Sequence, residues 1–247
     1  MSDRKNGPGW GAQVVTITPV GTAEIDGMPE HIRSALDAVF TDPGLRVHQV
    51  KEWVEAFTGW EAGNKYVVET ADGRPVLYVH EQGSGFLAAL ARNLWAFRTI
   101  RLDFATTHGT TVMRLERPWR LFFARAEIHG WDGRPLGSIQ QRFAFFRRRL
   151  DVLAPSGEVL AEILGPALRP WTFEVQRGGV QVARIRKEWS GLGAELFTDA
   201  DNFGIDFFGD VDARLRLLLV AATLMIDLLY FENQQRGRGG GLQLLSD

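Results

Sequence analysis

The segment LRLLLVAATLMIDLLYF, residues 215–231, is the most apolar stretch of the chain and constrains how the rest can fold. Ten uncharged residues separate Arg216 from Asp227, and as a helix they span roughly 15 Å against roughly 30 Å of bilayer hydrocarbon. A spanning helix would carry one of these charges into lipid, at about 2.5 to 3.5 kcal/mol. A helix that is apolar on all sides is also stable inside a protein. We predict a buried central helix, keep membrane insertion as the alternative, and expect burial of Leu217, Leu218, Val220, Ile226 and Asp227.

Upstream of this segment, apolar and polar residues alternate on either side of glycine turns. The first example is YVVETADGRPVLYVHE (66–81), which turns at Asp72-Gly73. Alternation flanking such a turn is typical of an antiparallel hairpin. Four further hairpins are predicted in the same way, with turns at His108-Gly109, Asp132-Gly133, Ser156-Gly157 and Gly178-Gly179.

Five hairpins supply ten strands, and two more segments raise the number to about twelve: LRVHQVKEWV (45–54) and NFGIDFF (202–208). So many sequential antiparallel strands must close or pack face to face to hide their edges. A closed wall of this size is too wide for strand side chains alone to fill. We therefore predict a mainly β fold, a closed antiparallel barrel around the C-terminal hydrophobic helix.

Three regions are predicted along the chain. Residues 1–45 form an N-terminal segment with a short amphipathic helix at 29–40, because apolar residues recur there at helical spacing. The barrel domain covers 46–233, and 234–247 is a flexible Gly/Arg tail. Within the barrel, FLAALARNLWAF (86–97) alternates poorly and is predicted to be a short helix or a loop.

Composition excludes several classes of protein. The 247 residues carry 28 basic and 30 acidic side chains, a net charge of −2, so no specific nucleic-acid binding is expected. The absence of cysteine excludes disulfides, thiolate metal sites and a cysteine nucleophile. The N-terminal MSDRKNGPGWG lacks the apolar run of a signal peptide, so we expect a cytoplasmic or peripherally membrane-associated protein.

Sequence signatures of catalysis are missing. The chain has no GxSxG, Walker or GxGxxG motif, and no second histidine follows His80-Glu81 at the spacing of a zinc protease. The five histidines lie on separate segments. We predict no covalent chemistry, and an enzyme would require a deep polar pocket that gathers several of these histidines.

Several segments resemble one known family. RIRKEWSGLGAELFTDADNFGIDFF (184–208) and LLLVAATLMIDLLYFE (217–232) resemble the C-terminal half of the phospholipid scramblase family, and EAFTGWEAGNKYVVETADGRPVLYVHE (55–81) resembles its beginning. LERPWRLFF, GSIQQRF and ILGPA resemble its intermediate landmarks in the expected order. The resemblance covers about residues 46–233. It implies a Tubby C-terminal-like barrel and calcium-stimulated, energy-independent movement of phospholipids between leaflets.

The family's proposed calcium segment falls on DADNFGIDFFGD (199–210). Phe203 and Phe207 occupy positions where a calcium loop needs oxygen ligands, and the apolar alternation there is that of a strand. Two interpretations stay open: a strand whose flanking aspartates shape a turn and cap the last helix, or a weak calcium site. The ligands implied for the second are Asp199, Asp201, Asn202 and Asp210.

A run of three arginines is the candidate site for a lipid headgroup. Arg147, Arg148 and Arg149 follow Phe143, Phe145 and Phe146, and aromatic rings next to basic charges suit an anionic lipid surface. The alternative is a solvated hairpin edge carrying charges that prevent aggregation.

Taken together, the sequence predicts a phospholipid scramblase-like protein that binds or moves phospholipids at a membrane surface, alone or as an oligomer, with weakly bound calcium. The alternative is a soluble Tubby-like module that binds a headgroup, a small ligand or a protein without transport. The C-terminal helix discriminates between them, because transport by so small a chain needs a lipid-exposed helix or a path built by an oligomer.

Overall fold

The computed structural model describes residues 27–50, 65–82, 99–118, 123–145, 147–166, 168–188 and 202–231. The predictions for 86–97 and 234–247 lie outside these ranges. Within these ranges the chain forms two helices and twelve strands: α1 Glu30–Thr41, β1 Gly44–Gln49, β2 Lys65–Thr70, β3 Pro75–Glu81, β4 Ile100–Thr106, β5 Thr111–Arg117, β6 Arg125–Gly130, β7 Pro135–Arg142, β8 Arg147–Leu153, β9 Val159–Pro166, β10 Thr172–Arg177, β11 Val180–Glu188, β12 Asn202–Phe207 and α2 Ala213–Tyr230.

The strands form one closed antiparallel barrel in which sequence neighbours are spatial neighbours. The first and last strands close it, with Leu45 opposite Ile205. All five hairpins turn at the predicted glycines, and Gly73 and Gly133 adopt φ values of 85° and 78° that side chains with a Cβ rarely reach. The predicted twelve-stranded barrel is confirmed.

The barrel has two different ends. The hairpin end carries the five tight turns and the connection 208–212 that leads from β12 into α2. The C-terminal end is where α2 finishes at Tyr230, and the connections from β5 to β6, β7 to β8 and β9 to β10 lie there.

Helix α2 fills the lumen, and the predicted central helix is confirmed. Every residue from Arg214 to Leu228 is buried, including the five residues for which burial was expected. The wall approaches the helix closely at Gly137 in β7, where an added Cβ would lie 2.4 Å from the Leu153 carbonyl oxygen and 3.1 Å from Leu218 Cδ1. Glycine at this position makes room for the helix.

Helix α1 matches the short N-terminal helix predicted at 29–40 and belongs to the same hydrophobic core. Its buried side chains Ile32, Leu36 and Val39 pack with the residues of the lumen, and the helix contacts α2, β3 and β4. Strand β1 begins at Gly44, two residues before the start predicted for the barrel domain.

Candidate membrane-contact site at the C-terminal end

The predicted headgroup residues lie at the start of β8, and the strand divides them between its two faces. Successive side chains of a strand point to opposite faces. Arg147 is exposed and forms no ion pair with any residue that the structure describes. Arg148 and Arg149 are half-buried and have partners on opposite sides of the wall. The three arginines therefore do not form one continuous headgroup patch.

Arg148 points toward the end of the central helix. Its guanidinium carbon lies 4.5 Å from the ring centre of Phe173 and 5.0 Å from that of Tyr230. The side chain also donates a hydrogen bond to the Pro170 carbonyl. Burial lowers the pKa of Arg148 and raises that of the Tyr230 hydroxyl, while the Arg148 charge opposes the latter shift. Arg148 thus covers the C-terminal end of α2, and its guanidinium already contacts other residues of the protein.

Arg149 forms ion pairs with two carboxylates on the outer face of the wall. Its Nε donates to Asp151 Oδ1 at 3.0 Å, and its Nη2 donates to Glu162 Oε1 at 2.8 Å. Arg142 contacts the same Asp151 at 2.7 Å. The hydrogen bond to Asp151 raises the pKa of Arg149. This side chain stabilises the sheet and has little capacity left for a ligand.

Three exposed phenylalanines form a cluster beside β8 at the C-terminal end. The rings of Phe143 and Phe145 are edge to face with their centres 4.9 Å apart, and Phe123 joins them at 6.3 Å from Phe143. Phe143 is 65% exposed and Phe145 is 84% exposed. Exposed rings in contact with one another form an apolar surface that water solvates poorly.

One more apolar side chain and two arginines extend this surface. Leu168, in the connection from β9 to β10, is 97% exposed. Arg147 pairs with Pro166 across the sheet, which brings that connection next to β8. Arg169 is exposed, and like Arg147 it has no ion-pair partner among the described residues. We call this surface the aromatic rim and define it as Phe123, Phe143, Phe145, Leu168, Arg147 and Arg169.

The segment implied as a calcium site contains strand β12, as the strand interpretation expected. Asp199 and Asp201 lie outside the described residues. Asn202 begins β12 at the C-terminal end, whereas Asp210 follows its last residue at the hairpin end. Five steps of about 3.3 Å separate the two ends of the strand, so Asn202 and Asp210 are too far apart to share one ion.

At the hairpin end, two buried arginines begin α2. Arg216 donates to the main-chain carbonyls of Val211, Val39 and Asp42 at 3.1, 3.2 and 2.7 Å, and its guanidinium lies 4.1 Å from the Phe207 ring centre. Arg214 donates to the Leu136 carbonyl at 3.0 Å. Burial lowers the pKa of both side chains. The sequence pattern singled out Arg216 as a charge beside the apolar stretch, but neither Arg214 nor the carbonyl partners could be named from it.

Helix α2 has one buried carboxylate near its other end. Tyr66 of β2 donates its hydroxyl to Asp227 Oδ2 at 2.9 Å, and both side chains are buried. This hydrogen bond links the helix to the wall across the lumen. Within the described residues, no helix combines the length and the apolar character needed to cross a bilayer.

The histidines form no metal centre in the described part of the chain. No group of three or more His, Asp or Glu side chains is arranged there to hold an ion. His80 and His129, however, lie in one row across the outer wall, with two other side chains between them. The sequence did not predict this proximity, because it depends on strand register.

Comparison with known proteins identifies the family to which this barrel belongs. The model of the Scramblase family matches residues 23–233. The chain therefore belongs to the scramblase family, and the resemblance seen in its C-terminal motifs is confirmed.

Individual relatives are about 30% identical to this chain over the aligned residues. It is 30% identical over 216 residues to phospholipid scramblase 1 of Mus musculus and 29% identical over 204 residues to that of Homo sapiens, covering 81% and 76% of this chain. The chain spans 65% and 63% of the length of these two relatives. Phospholipid scramblase 2 of Bos taurus is 28% identical over 89% of this chain and 80% of its own length. An X-ray structure of a protein from Arabidopsis thaliana covers 78% of this chain and 98% of its own, with a TM-score of 0.47 and 15% identity.

Proposed function

We propose that the protein binds anionic phospholipid surfaces through the aromatic rim and promotes movement of phospholipids between leaflets, as the names of its relatives suggest. The observation that carries the proposal is a cluster of exposed rings beside arginines without ion-pair partners in the described chain. Rings of this kind bury their area at headgroup depth, and each arginine near an anionic surface adds about 1 kcal/mol.

The filled lumen limits the mechanism of transport. A polar headgroup that crosses hydrocarbon without partners costs several kcal/mol. Helix α2 occupies the barrel interior with side chains buried along its length, so a monomer offers no interior route. We therefore propose that transport uses an oligomer or local thinning of the bilayer by the inserted rim.

Vesicle sedimentation tests the binding step. Wild-type protein should bind vesicles that contain phosphatidylserine more tightly than vesicles of phosphatidylcholine alone. Phe145→Ser should weaken binding about tenfold, because the ring loses its apolar contact with the interface. The matched control is Val180→Ser, since Val180 is 63% exposed at the hairpin end and lies far from the rim. Equal loss in both variants, or no binding by wild type, would remove the rim from the proposal.

A dithionite assay with fluorescent lipid tests transport. Scrambling should rise steeply with the protein-to-lipid ratio if an oligomer or thinned bilayer is needed. Rapid scrambling at one monomer per vesicle would contradict this mechanism and favour an inserted helix.

We also propose weak calcium stimulation, which the resemblance to the family implies. Its remaining basis is Asp199, Asp201 and Asn202, because Asp210 follows the opposite end of β12. Such an incomplete ligand set should bind calcium with a Kd on the order of 10⁻⁴ M or weaker. Titration calorimetry checks this, and micromolar affinity that is lost in Asp199→Ala and Asp201→Ala would contradict it.

The second candidate function is lipid or ligand binding without transport. The same enclosed α2 favours it, because the helix has no face left for lipid within the closed barrel. Vesicle binding without scrambling at any protein-to-lipid ratio would select this function.

A further inference from the structure

A row of polar side chains crosses four neighbouring strands on the outer wall. Strand pairing places His80 opposite Asp103, Asp103 opposite Arg114, and Arg114 opposite His129. Directly opposed side chains of antiparallel strands lie about 4.5 to 5.5 Å apart at Cβ. The row is therefore continuous from β3 to β6, and it shares no residue with the aromatic rim.

Within this row, Asp103 holds Arg114 in one orientation. The carboxylate is only 4% exposed and accepts from Arg114 Nε at 2.6 Å and from Nη2 at 3.2 Å. Gln82 also donates to it. The bond to Asp103 raises the pKa of Arg114. Two bonds fix the plane of the guanidinium, and its Nη1 has no hydrogen-bond partner within the described chain, which leaves a fixed donor for an external acceptor.

Arg114 faces an open groove on the outer wall. The groove has a volume of about 420 Å³ and is lined by Arg114, Glu116, His129 and Trp131 among others. This volume lies in the usual range for a small-molecule site, roughly 300 to 1,000 Å³. Trp131 follows β6 in the hairpin turn and is 37% exposed, so a ligand in the groove can contact its indole ring.

Charge balance decides which ligand suits the groove. Among the described residues that line the groove, Arg114 is the one arginine and Glu116 the one carboxylate, and Glu116 also lies 3.5 Å from Arg101 Nε. A polyanion would therefore meet a carboxylate beside a single arginine. A ligand with one phosphate and one fixed cation matches the wall better, because Arg114 and His129 can donate to phosphate and the Trp131 ring attracts an alkylated ammonium.

We propose that this groove binds a phosphocholine-type zwitterion. A phosphodiester oxygen accepts hydrogen bonds from Arg114 and His129, and the quaternary ammonium packs on the face of Trp131. The same chemical group occurs on free glycerophosphocholine and on the headgroup of phosphatidylcholine.

Calorimetric titration of the full chain tests the ligand class. Glycerophosphocholine should bind with a Kd on the order of 1 mM, as expected for a small ligand in an open groove. Glycerol phosphate, which lacks the ammonium, and choline, which lacks the phosphate, should each bind at least about tenfold more weakly. No saturable binding of glycerophosphocholine, or equal binding of glycerol phosphate, would overturn the proposal.

Two variants and a control locate the site. Trp131→Leu should weaken glycerophosphocholine binding about tenfold without a folding defect, because it changes an exposed side chain. Arg114→Lys should weaken it by a similar factor, since lysine keeps the charge but loses the paired bonds to Asp103. The control is Arg134→Gln, an exposed arginine of the same turn that does not line the groove. Unchanged affinity in Trp131→Leu would place any bound ligand elsewhere.

Two further measurements complete the test. The first distinguishes lipid from a free ligand, and the second distinguishes the groove from the aromatic rim. Monomeric dihexanoylphosphatidylcholine that binds at least about tenfold more tightly than glycerophosphocholine would assign the groove to lipid, whereas equal affinity would assign it to the free group. Phe145→Ser should leave glycerophosphocholine affinity unchanged, so the rim and the groove can fail independently. A loss of groove binding in Phe145→Ser would contradict two separate sites.

Discussion

The two ends of helix α2 are held by different kinds of interaction. At the hairpin end, buried Arg214 and Arg216 donate to main-chain carbonyls, including two at the C-terminal end of α1. At the other end, Phe231 stacks on Trp171, and Arg148 and Lys187 lie over aromatic rings. Carbonyl positions depend on the backbone fold, whereas stacked side chains depend on a few replaceable residues. Hydrogen bonds to the backbone therefore fix the hairpin end, whereas the C-terminal end combines side-chain contacts with the exposed rim.

A charge in the middle of the helix should disrupt both ends together. Leu218→Arg places a guanidinium in the packed interior beside Gly137, where Leu218 is fully buried. We expect a loss of about 4 kcal/mol or more in the free energy of unfolding, enough to unfold much of the population. Circular dichroism during urea denaturation measures this, with Leu218→Met as the conservative control at under about 1.5 kcal/mol. A folded, stable Leu218→Arg protein would contradict the enclosed helix.

Removing the charge at the hairpin end should have the next largest effect. Arg216→Met leaves the carbonyls of Val211, Val39 and Asp42 without this donor. We expect about 3 kcal/mol of destabilisation, because buried acceptors without partners are costly. Hydrogen exchange should show the loss first in α1, to which Arg216 links the helix. Unchanged protection of α1 would mean that Arg216 does not join the two helices.

The link across the lumen should have an intermediate effect. Tyr66→Phe removes the hydroxyl that donates to Asp227 while keeping the ring. We expect destabilisation of about 2 kcal/mol, because the buried Asp227 oxygen is left without this donor. The matched control is Tyr78→Phe on the neighbouring strand β3, whose side chain is only half-buried. Equal small effects in the two variants would show that the Tyr66 bond contributes little.

The smallest effects are expected at two neighbouring arginines. Arg148 should contribute to stability and Arg147 to membrane binding. Arg148→Gln removes a cation that stacks on Phe173 and Tyr230, and should lower stability by about 1 kcal/mol with little change in vesicle binding. Arg147→Gln should do the reverse, with about fivefold weaker binding to anionic vesicles and unchanged stability. Thermal denaturation and sedimentation of both variants check this. If the two variants changed stability and vesicle binding in the same way, residues on the two faces of β8 would not have separate roles.

Most of the barrel could be predicted because its signals are local. A glycine turn and the alternation beside it are contained in about sixteen residues, as in 66–81, and all five such turns are present. The central helix could be predicted because Arg216 and Asp227 leave too short an apolar stretch to span a bilayer. Both arguments depend only on neighbouring residues and on solvation.

The candidate sites were less predictable because their partners are distant in sequence. Arg148 packs on Phe173 and Tyr230, which no local pattern connects to it. Strand alternation alone would have separated Arg148 from Arg147 and Arg149, and that signal was present in the sequence. The row from His80 to His129 depends on the register of three strand pairs, which the sequence leaves open.

Closure of the barrel has a consequence for how the chain is made. Eleven of the twelve strand pairings join sequence neighbours and can form as residues leave the ribosome. The twelfth joins Leu45 to Ile205, 160 positions later, and α2 follows that. Contacts of such long range form slowly, and the unsealed sheet exposes apolar surface and two unpaired edges in the meantime. All residues from β1 to the end of α2 must therefore be synthesised before the interior can be sealed, and the open sheet stays accessible to chaperones until then.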